Sequence, residues 1–324
     1  MAWGELQLFD IPGFSALVLL TVVLSWLALR FWRARRPLIK WLCGVVVSIL
    51  ALASMLLVGA ASAGYWRLNR VHDNPVHPTV VEATPESIQR GEWFQPYCSS
   101  CHAEERGMAM TGQDFLGDDD APPIGVFHAP NLTPVHLGDW SDGELIRAIR
   151  EGVHRNGRSL LIMPSKYLRN LSDEDVFSIV AYLRSLPPEG DATPPNRLNV
   201  LGAIMVLPAP IFEAQPPLSG PVTAPPPGPT AAYGTYLSSF TCDICHGADG
   251  LGDPEFPSPP LIGVPYAWNE GAFIDFMRTG TRPDGSSVDE ERMPWQDMSD
   301  FLNDDDELRA IYTHLALLTK GVSE

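Results

Sequence analysis

The sequence predicts an all-α chain in which an apolar helical hairpin precedes two copies of one helical unit. Three observations predict it. Residues 11–29 and 42–63 are almost wholly apolar and uncharged. The pentapeptide Cys-x-x-Cys-His occurs twice, as CSSCH at 98–102 and CDICH at 242–246, and the residues after each copy run in parallel for some seventy positions. Further apolar side chains recur at helical spacing, with no alternation of strands and helices of the kind a parallel sheet requires.

Each apolar run is near the roughly 20 residues that span a bilayer. Arg30, Arg33, Arg35, Arg36 and Lys40 lie between them, while the first ten residues carry no basic side chain. The positive-inside rule therefore puts the turn on the cytoplasmic side and both hairpin ends outside, with residues 1–70 as a transmembrane anchor. Ala61, Ser62 and Ala63 resemble a leader-cleavage site, but two long spans argue against a cleaved leader.

Residues 71–81 read as a short polar tether with prolines at 75 and 78, and the first unit is expected over 82–188. Thr84 is an N-cap signal with Pro85 at the first helical position, and that helix should carry Trp93 and Phe94 into the first pentapeptide. A long loop follows to Gly138, marked by Gly112, Gly117, Asp118, Asp119, Asp120, Pro122 and Pro123. Helices resume at 141–151, with the stripe Leu145, Ile146 and Ile149, and at 172–186, with Val176, Ile179, Val180 and Leu183. Residues 189–230 form a proline-rich linker ending in APPPGPT, interrupted by the apolar stretch 199–212. That stretch is too short to span a membrane; it is expected to pack between the units, dock on a partner or lie at the membrane surface. The second unit, over 231–320, should repeat the first with helices at 231–246, 269–278 and 304–318.

The parallels make this a duplication. Trp140, Ser141 and Gly143 recur as Trp268, Asn269 and Gly271, and Gly152 and Gly280 each lie twelve residues after their tryptophan. Met163 is eleven residues beyond the first of these glycines and Met293 thirteen beyond the second, each followed by proline. Ser172 with Asp175 matches Asp304 with Glu307, both capping-box arrangements or their acidic variant.

Two thiols three apart with an adjacent imidazole are what covalent haem attachment needs: the thiols add to the porphyrin vinyls and the histidine takes an axial iron position. A CxxC pair also serves zinc sites and dithiol centres, but the histidine in both copies favours haem. This assigns Cys98, Cys101 and His102 to one haem, and Cys242, Cys245 and His246 to another. Cys43, within the second apolar run, reads as an inert buried thiol. The paired Met-Pro steps make Met163 and Met293 the second axial ligands, with Met108, Met110, Met277 and Met298 as rivals. His128, His136 or His154 could instead give bis-histidine ligation in the first unit, while His314 alone follows His246 in the second. A ligating histidine normally donates its other ring nitrogen to a carbonyl, for which Pro123 and Pro260 are the candidates.

A chain of 324 residues has room for two or three units. Its formal net charge of −17 is split: residues 1–70 carry seven Lys/Arg against two Asp/Glu, the remainder 15 against 37. The acidic part argues against nucleic acid and for steering a basic protein partner.

At these residues the sequence resembles the class I cytochrome c superfamily, and more narrowly the multihaem c-type subunits of membrane dehydrogenases for alcohols and sugar acids. The narrower likeness is carried by APNLTP at 129–134, WSDGELIRAIREGV at 140–153, Met163-Pro164 and LSDEDVFSIVAYLRSLPP ending at Pro188; the second unit matches the general pattern through CHGADGLG and RMPW. The resemblance implies two class I cytochrome c domains, two covalently bound haem c, proximal His102 and His246, distal Met163 and Met293, and no catalytic residue. Taken with the hairpin and its basic turn, which depart from that family, it leads to the expectation of a membrane-anchored relay of single electrons between a membrane respiratory or dehydrogenase complex and a soluble or membrane carrier, with the haem domains on the periplasmic side of a bacterial cytoplasmic membrane. Those dehydrogenase subunits usually have a cleaved leader and three haems. Dihaem subunits of haem-copper oxidases share the anchor and the pair of domains, and are the nearest alternative. A dihaem peroxidase or a gas sensor would need an open iron, against which the paired methionines argue.

Overall fold

The computed structural model describes residues 10–105, 108–114, 124–208, 213–252, 258–290 and 292–322. Two long helices open the chain. α1 (Ile11–Trp32) starts where the Asp10 carboxylate accepts the Gly13 amide, with proline in its first turn. α2 (Pro37–Asn69) again has proline in its first turn, and its 33 residues make a rod of about 50 Å at 1.5 Å per residue. Both are long and apolar enough to cross a membrane. They pack through small residues, Ala28 on α1 and Gly44, Ala51 and Ser54 on α2, and leave Leu19, Leu42 and Leu56 exposed.

The C-terminal end of α2 does not end in free solvent. Ala61, Tyr65 and Leu68 are buried against Phe127, Leu198, Ala203 and Val206, a second small core separate from the main one. Much of the surface they meet belongs to α9 (Val200–Met205). Residues 71–81, expected to be a tether, instead run along the first unit: His72 N–H donates to Gly157 O at 2.8 Å, Arg147 donates to Asn74 O at 3.0 Å, and Val81 N–H donates to the Asp142 carboxylate at 2.9 Å.

The expected first helix is two, α3 (Pro85–Glu92) and α4 (Gln95–His102). Thr84 caps α3 in a reciprocal box with Ser87. Pro96 lies in the first turn of α4 and disfavours continuous helix through the residue before it, so the chain breaks at Trp93 and Phe94. Two short antiparallel pairs follow, β1 (Gln113–Asp114) with β3 (His128–Ala129), and β2 (Gly125–Val126) with β4 (Arg197–Leu198). The intervening helices are α5 (Pro134–Leu137), α6 (Asp142–Glu151), α7 (Ser165–Leu168) and α8 (Asp173–Ser185), with α9 after β4. In the remainder lie α10 (Ala231–Ser238), α11 (Asp243–His246), α12 (Val264–Ala267), α13 (Glu270–Thr279), α14 (Trp295–Phe301) and α15 (Asp305–Val322). The helix expected over 231–246 is likewise split. Of the expected loop, residues 115–123 lie outside the described residues, as do 209–212 of the apolar stretch.

Terminal helices cross twice in the same way, α3 on α8 and α10 on α15. A glycine sits at each crossing because nothing larger fits: a Cβ on Gly91 would lie 2.0 Å from Ser178 O, and one on Gly234 would lie 1.9 Å from Ala310 O. One continuous apolar core joins both halves, centred on Phe94, Phe240 and Phe301, each almost wholly buried. Burial of one such ring stabilises the fold by about 2–3 kcal/mol relative to leaving it exposed.

Candidate haem-attachment sites

Each pentapeptide ends a short helix, and each places its histidine at the last helical position. His102 is buried at the end of α4, and its Nδ1 bonds Pro130 O at 2.8 Å. His246 is buried at the end of α11, and its Nδ1 bonds Pro259 O at 2.8 Å. The carbonyls differ from those anticipated: Pro123 lies outside the described residues and Pro130 serves His102, while Pro259 rather than Pro260 serves His246. Burial lowers the pKa of both rings, against the raising effect of the carbonyl contact, so each imidazole is neutral with a proton on Nδ1. That tautomer leaves Nε2 as a lone-pair donor, the form that ligates iron.

The backbone behind each histidine is duplicated too. Gly112 N–H donates to His102 O at 2.8 Å and Gly252 N–H to His246 O at 2.9 Å. Both glycines have φ near +90°, where side chains are strained. Burial pushes the Cys98 thiol up to about 12 and raises those of Cys101 and Cys242. Such sulfurs stay uncharged, and a thioether, which carries no charge, suits the same environment.

The methionines leave matching turns. α6 and α13 start at Ser141 and Asn269 caps and stop at left-handed Gly152 and Gly280. A hairpin then closes on each glycine, with Leu160 N–H on Gly152 O at 2.6 Å and Val288 N–H on Gly280 O at 2.8 Å. Ser165 N–H reaches back to Met163 O at 2.8 Å and Trp295 N–H to Met293 O at 2.7 Å. Pro164 and Pro294 hold this step at φ −79°, ψ 46° and φ −74°, ψ 64°, an inverse γ-turn in both copies. Ile162, before the first methionine, has φ 66°, a strained value for a β-branched residue. Met163 and Met293 both pack partly buried against the main core. Among their rivals, Met110 and Met277 are committed to that core, Met298 packs on it from α14, and Met108 is half exposed.

Of the alternative histidines, His128 pairs with the Asp114 carboxylate, and His154 accepts from Asn156 N–H at 3.2 Å while its ring stands edge-on to Trp140. His136, on α5, lies within electrostatic reach of both His102 and His154, and burial lowers the pKa of all three. His314, on α15, bonds the Thr235 hydroxyl at 2.9 Å.

A further matched pair has a signal in the sequence, an arginine at the same distance before each left-handed glycine. Arg150 and Arg278 each stand two residues before the left-handed glycine. Arg150 donates to Leu171 O at 2.8 Å and pairs with Asp173 at 2.6 Å; Arg278 donates to Leu302 O at 2.7 Å and pairs with Asp305 at 3.0 Å. Each ties the helix before the methionine loop to the start of the terminal helix, so the methionine is held between two fixed ends.

The donor sets fit covalent haem: at each copy two cysteine sulfurs, a neutral imidazole with an available Nε2, and a thioether on a constrained turn. The first copy lies in a cytochrome c domain, for residues 89–183 match the family model of the cytochrome c oxidase, cbb3-type, subunit III. The chain is also similar to the cytochrome c subunit of the quinone alcohol dehydrogenase of Gluconacetobacter polyoxogenes, at 27% identity over 227 residues, covering 64% of this chain and 43% of that protein. Similarity extends to the fructose dehydrogenase cytochrome subunit of Gluconobacter japonicus, at 30% over 133 residues, 39% of this chain and 26% of that protein. To the gluconate 2-dehydrogenase cytochrome c subunit of Pantoea cypripedii it is 33% over 107 residues, 31% of this chain and 23% of that protein. The chain thus spans less than half the length of each of these relatives.

Proposed function

We propose that this chain is a membrane-anchored dihaem c-type cytochrome that relays single electrons between a membrane redox complex and another carrier. The observation that carries the reading is the duplicated site: a buried histidine with Nδ1 on a prolyl carbonyl at 2.8 Å and a Met-Pro γ-turn, both present twice. Bound haem supplies a reversible one-electron iron couple. Cys98, Cys101, Cys242 and Cys245 would hold it covalently, His102 and His246 would ligate one side, and Met163 and Met293 the other. The prolyl carbonyls fix the ring tautomers, and the arginine ties hold the methionine turns in place. Were His102 with Met163, and His246 with Met293, to ligate the irons, neither iron would keep a position for substrate, which favours a relay over a catalyst.

The two units, 82–188 and 231–320, are read as two cytochrome c domains on a hairpin anchor, standing outside the cytoplasmic membrane of a bacterium. The likeness to dehydrogenase cytochrome subunits favours a membrane dehydrogenase as electron source. A second reading, a subunit of a haem-copper oxidase, is favoured by the family matched at 89–183. Pyridine haemochrome quantification against protein mass tests the core of the proposal. Two covalent haems per chain are expected; one haem would reject the dihaem relay.

A further inference from the structure

The two pentapeptide segments do not face each other across a loose linker. α14, the helix that follows Met293, packs on α4, the helix that bears CSSCH. Between them lies an aromatic cluster: Trp93 and Phe301 rings are 4.3 Å apart, Tyr97 and Phe301 5.5 Å, and Phe94 and Phe240 6.3 Å. A polar bond crosses this cluster. The Tyr97 hydroxyl donates to Phe240 O at 2.9 Å, joining the residue just before Cys98 to the residue two before Cys242. The Cys98, Cys101 and Cys245 sulfurs all lie within electrostatic reach of that phenol.

The duplication does not account for this bond. Thr241 stands where Tyr97 would recur, and its hydroxyl donates instead to Leu237 O, in the last turn of α10, at 2.6 Å. Further bonds close the same interface farther out: Asn170 donates to Ser239 O at 3.1 Å, and Ser172 N–H donates to the Tyr236 hydroxyl at 3.0 Å. Tyr236 in turn donates to Asp175, whose other oxygen pairs with Arg90 at 2.6 Å. The inner bond is the one at the attachment motifs.

Resting on the dihaem reading, we infer that Tyr97 is a positioning residue that clamps the two haem-attachment motifs at a fixed separation, so that electrons pass directly from one haem to the other within the chain. In that exchange one iron loses an electron and the other gains it, with no proton moved. Tyr97 itself is not oxidised or deprotonated. Burial raises its pKa, and its O–H stays engaged with Phe240 O.

The test uses the full-length chain in detergent or nanodiscs, with Tyr97→Phe, which keeps the ring and removes the hydroxyl, and Tyr97→Ala, which removes both. Haem count, the two midpoint potentials, amide exchange over 239–246, and interhaem equilibration after partial flash reduction are measured on each. For Tyr97→Phe the expected result is two haems, unchanged potentials, faster amide exchange over 239–246, where the Phe240 carbonyl loses its donor, and equilibration several-fold slower than wild type; Tyr97→Ala should be slower again. Equilibration at the wild-type rate in both variants would overturn the inference, even with faster amide exchange, because Tyr97 would then be only a packing residue. A single haem in the wild type would instead reject the dihaem reading beneath it.

Discussion

At the residue scale, the methionines decide between relay and catalyst. Met163 and Met293 each precede the same proline-fixed γ-turn and pack partly buried on the core, and in the proposed relay both would ligate iron. The wild-type reduced protein should therefore bind carbon monoxide poorly, and Met163→Ala or Met293→Ala should each gain binding at one haem. Visible spectroscopy under carbon monoxide checks this. Binding by the wild type would show a position left open or weakly held, and none by Met163→Ala would show that another group, such as His136, fills it. A second residue-scale prediction concerns Glu307 on α15, whose carboxyl burial pushes up to about 7, against the lowering effect of the Asp304 backbone N–H and of Arg90 and Arg278. A carboxyl with a raised folded-state pKa is better tolerated protonated. Its stabilising effect is complete below its ordinary value of 4.5 and is lost as pH rises through about 7. Glu307→Gln should flatten this part of the profile of denaturation midpoint against pH. A slope in the variant as steep as in the wild type would place its origin elsewhere.

At the scale of elements, the glycines at the two helix crossings should tolerate no side chain. Gly91→Ala or Gly234→Ala puts a Cβ about 2 Å from the carbonyl of a packed backbone, which cannot move as a side-chain tip can. Overpacking of this kind costs about 1–3 kcal/mol or more. Urea unfolding of each variant should show a lowered midpoint, and an unchanged midpoint would mean the helices can part there. Local signals made much of this level legible beforehand. Thr84, Ser141, Ser172 and Asn269 all cap helices where expected, and Gly152 and Gly280 end them, because a cap or a left-handed stop is decided by a few neighbouring residues. What escaped was non-local. Which carbonyl receives His102 depends on the path of the chain to a residue 28 positions on, and any residue type has a carbonyl to offer. The break at Trp93 and Phe94 had a visible cause in Pro96. The split of the corresponding helix at residues 239–242 had none of that kind.

For the whole molecule, the basic turn and the outward ends of the hairpin predict sidedness. A reporter fused at Arg35 should behave as cytoplasmic and one at Gly321 as external, and the reverse pattern would invert the proposed topology. The rod of α2, at about 50 Å, is longer than a hydrocarbon layer of roughly 30 Å, so in the proposed topology its last turns would stand clear of the lipid. There α9 seats on it so closely that a Cβ on Gly64 would lie 1.8 Å from Ala203 O, and Arg67 donates to Val206 O at 2.7 Å and pairs with Glu213 at 3.0 Å. Had the 11 residues at 71–81 been a free coil, the attached unit would have swept a radius of roughly 18 Å, at 5–6 Å times the square root of 11. Docked, it has almost no search volume of its own, so the local concentration gained by tethering is replaced by a single presented orientation. An exchange partner of the proposed relay would then have to bring its own mobility: a diffusing carrier could reach this unit from solution, whereas a membrane-bound one would have to arrive at the right height and angle around α2.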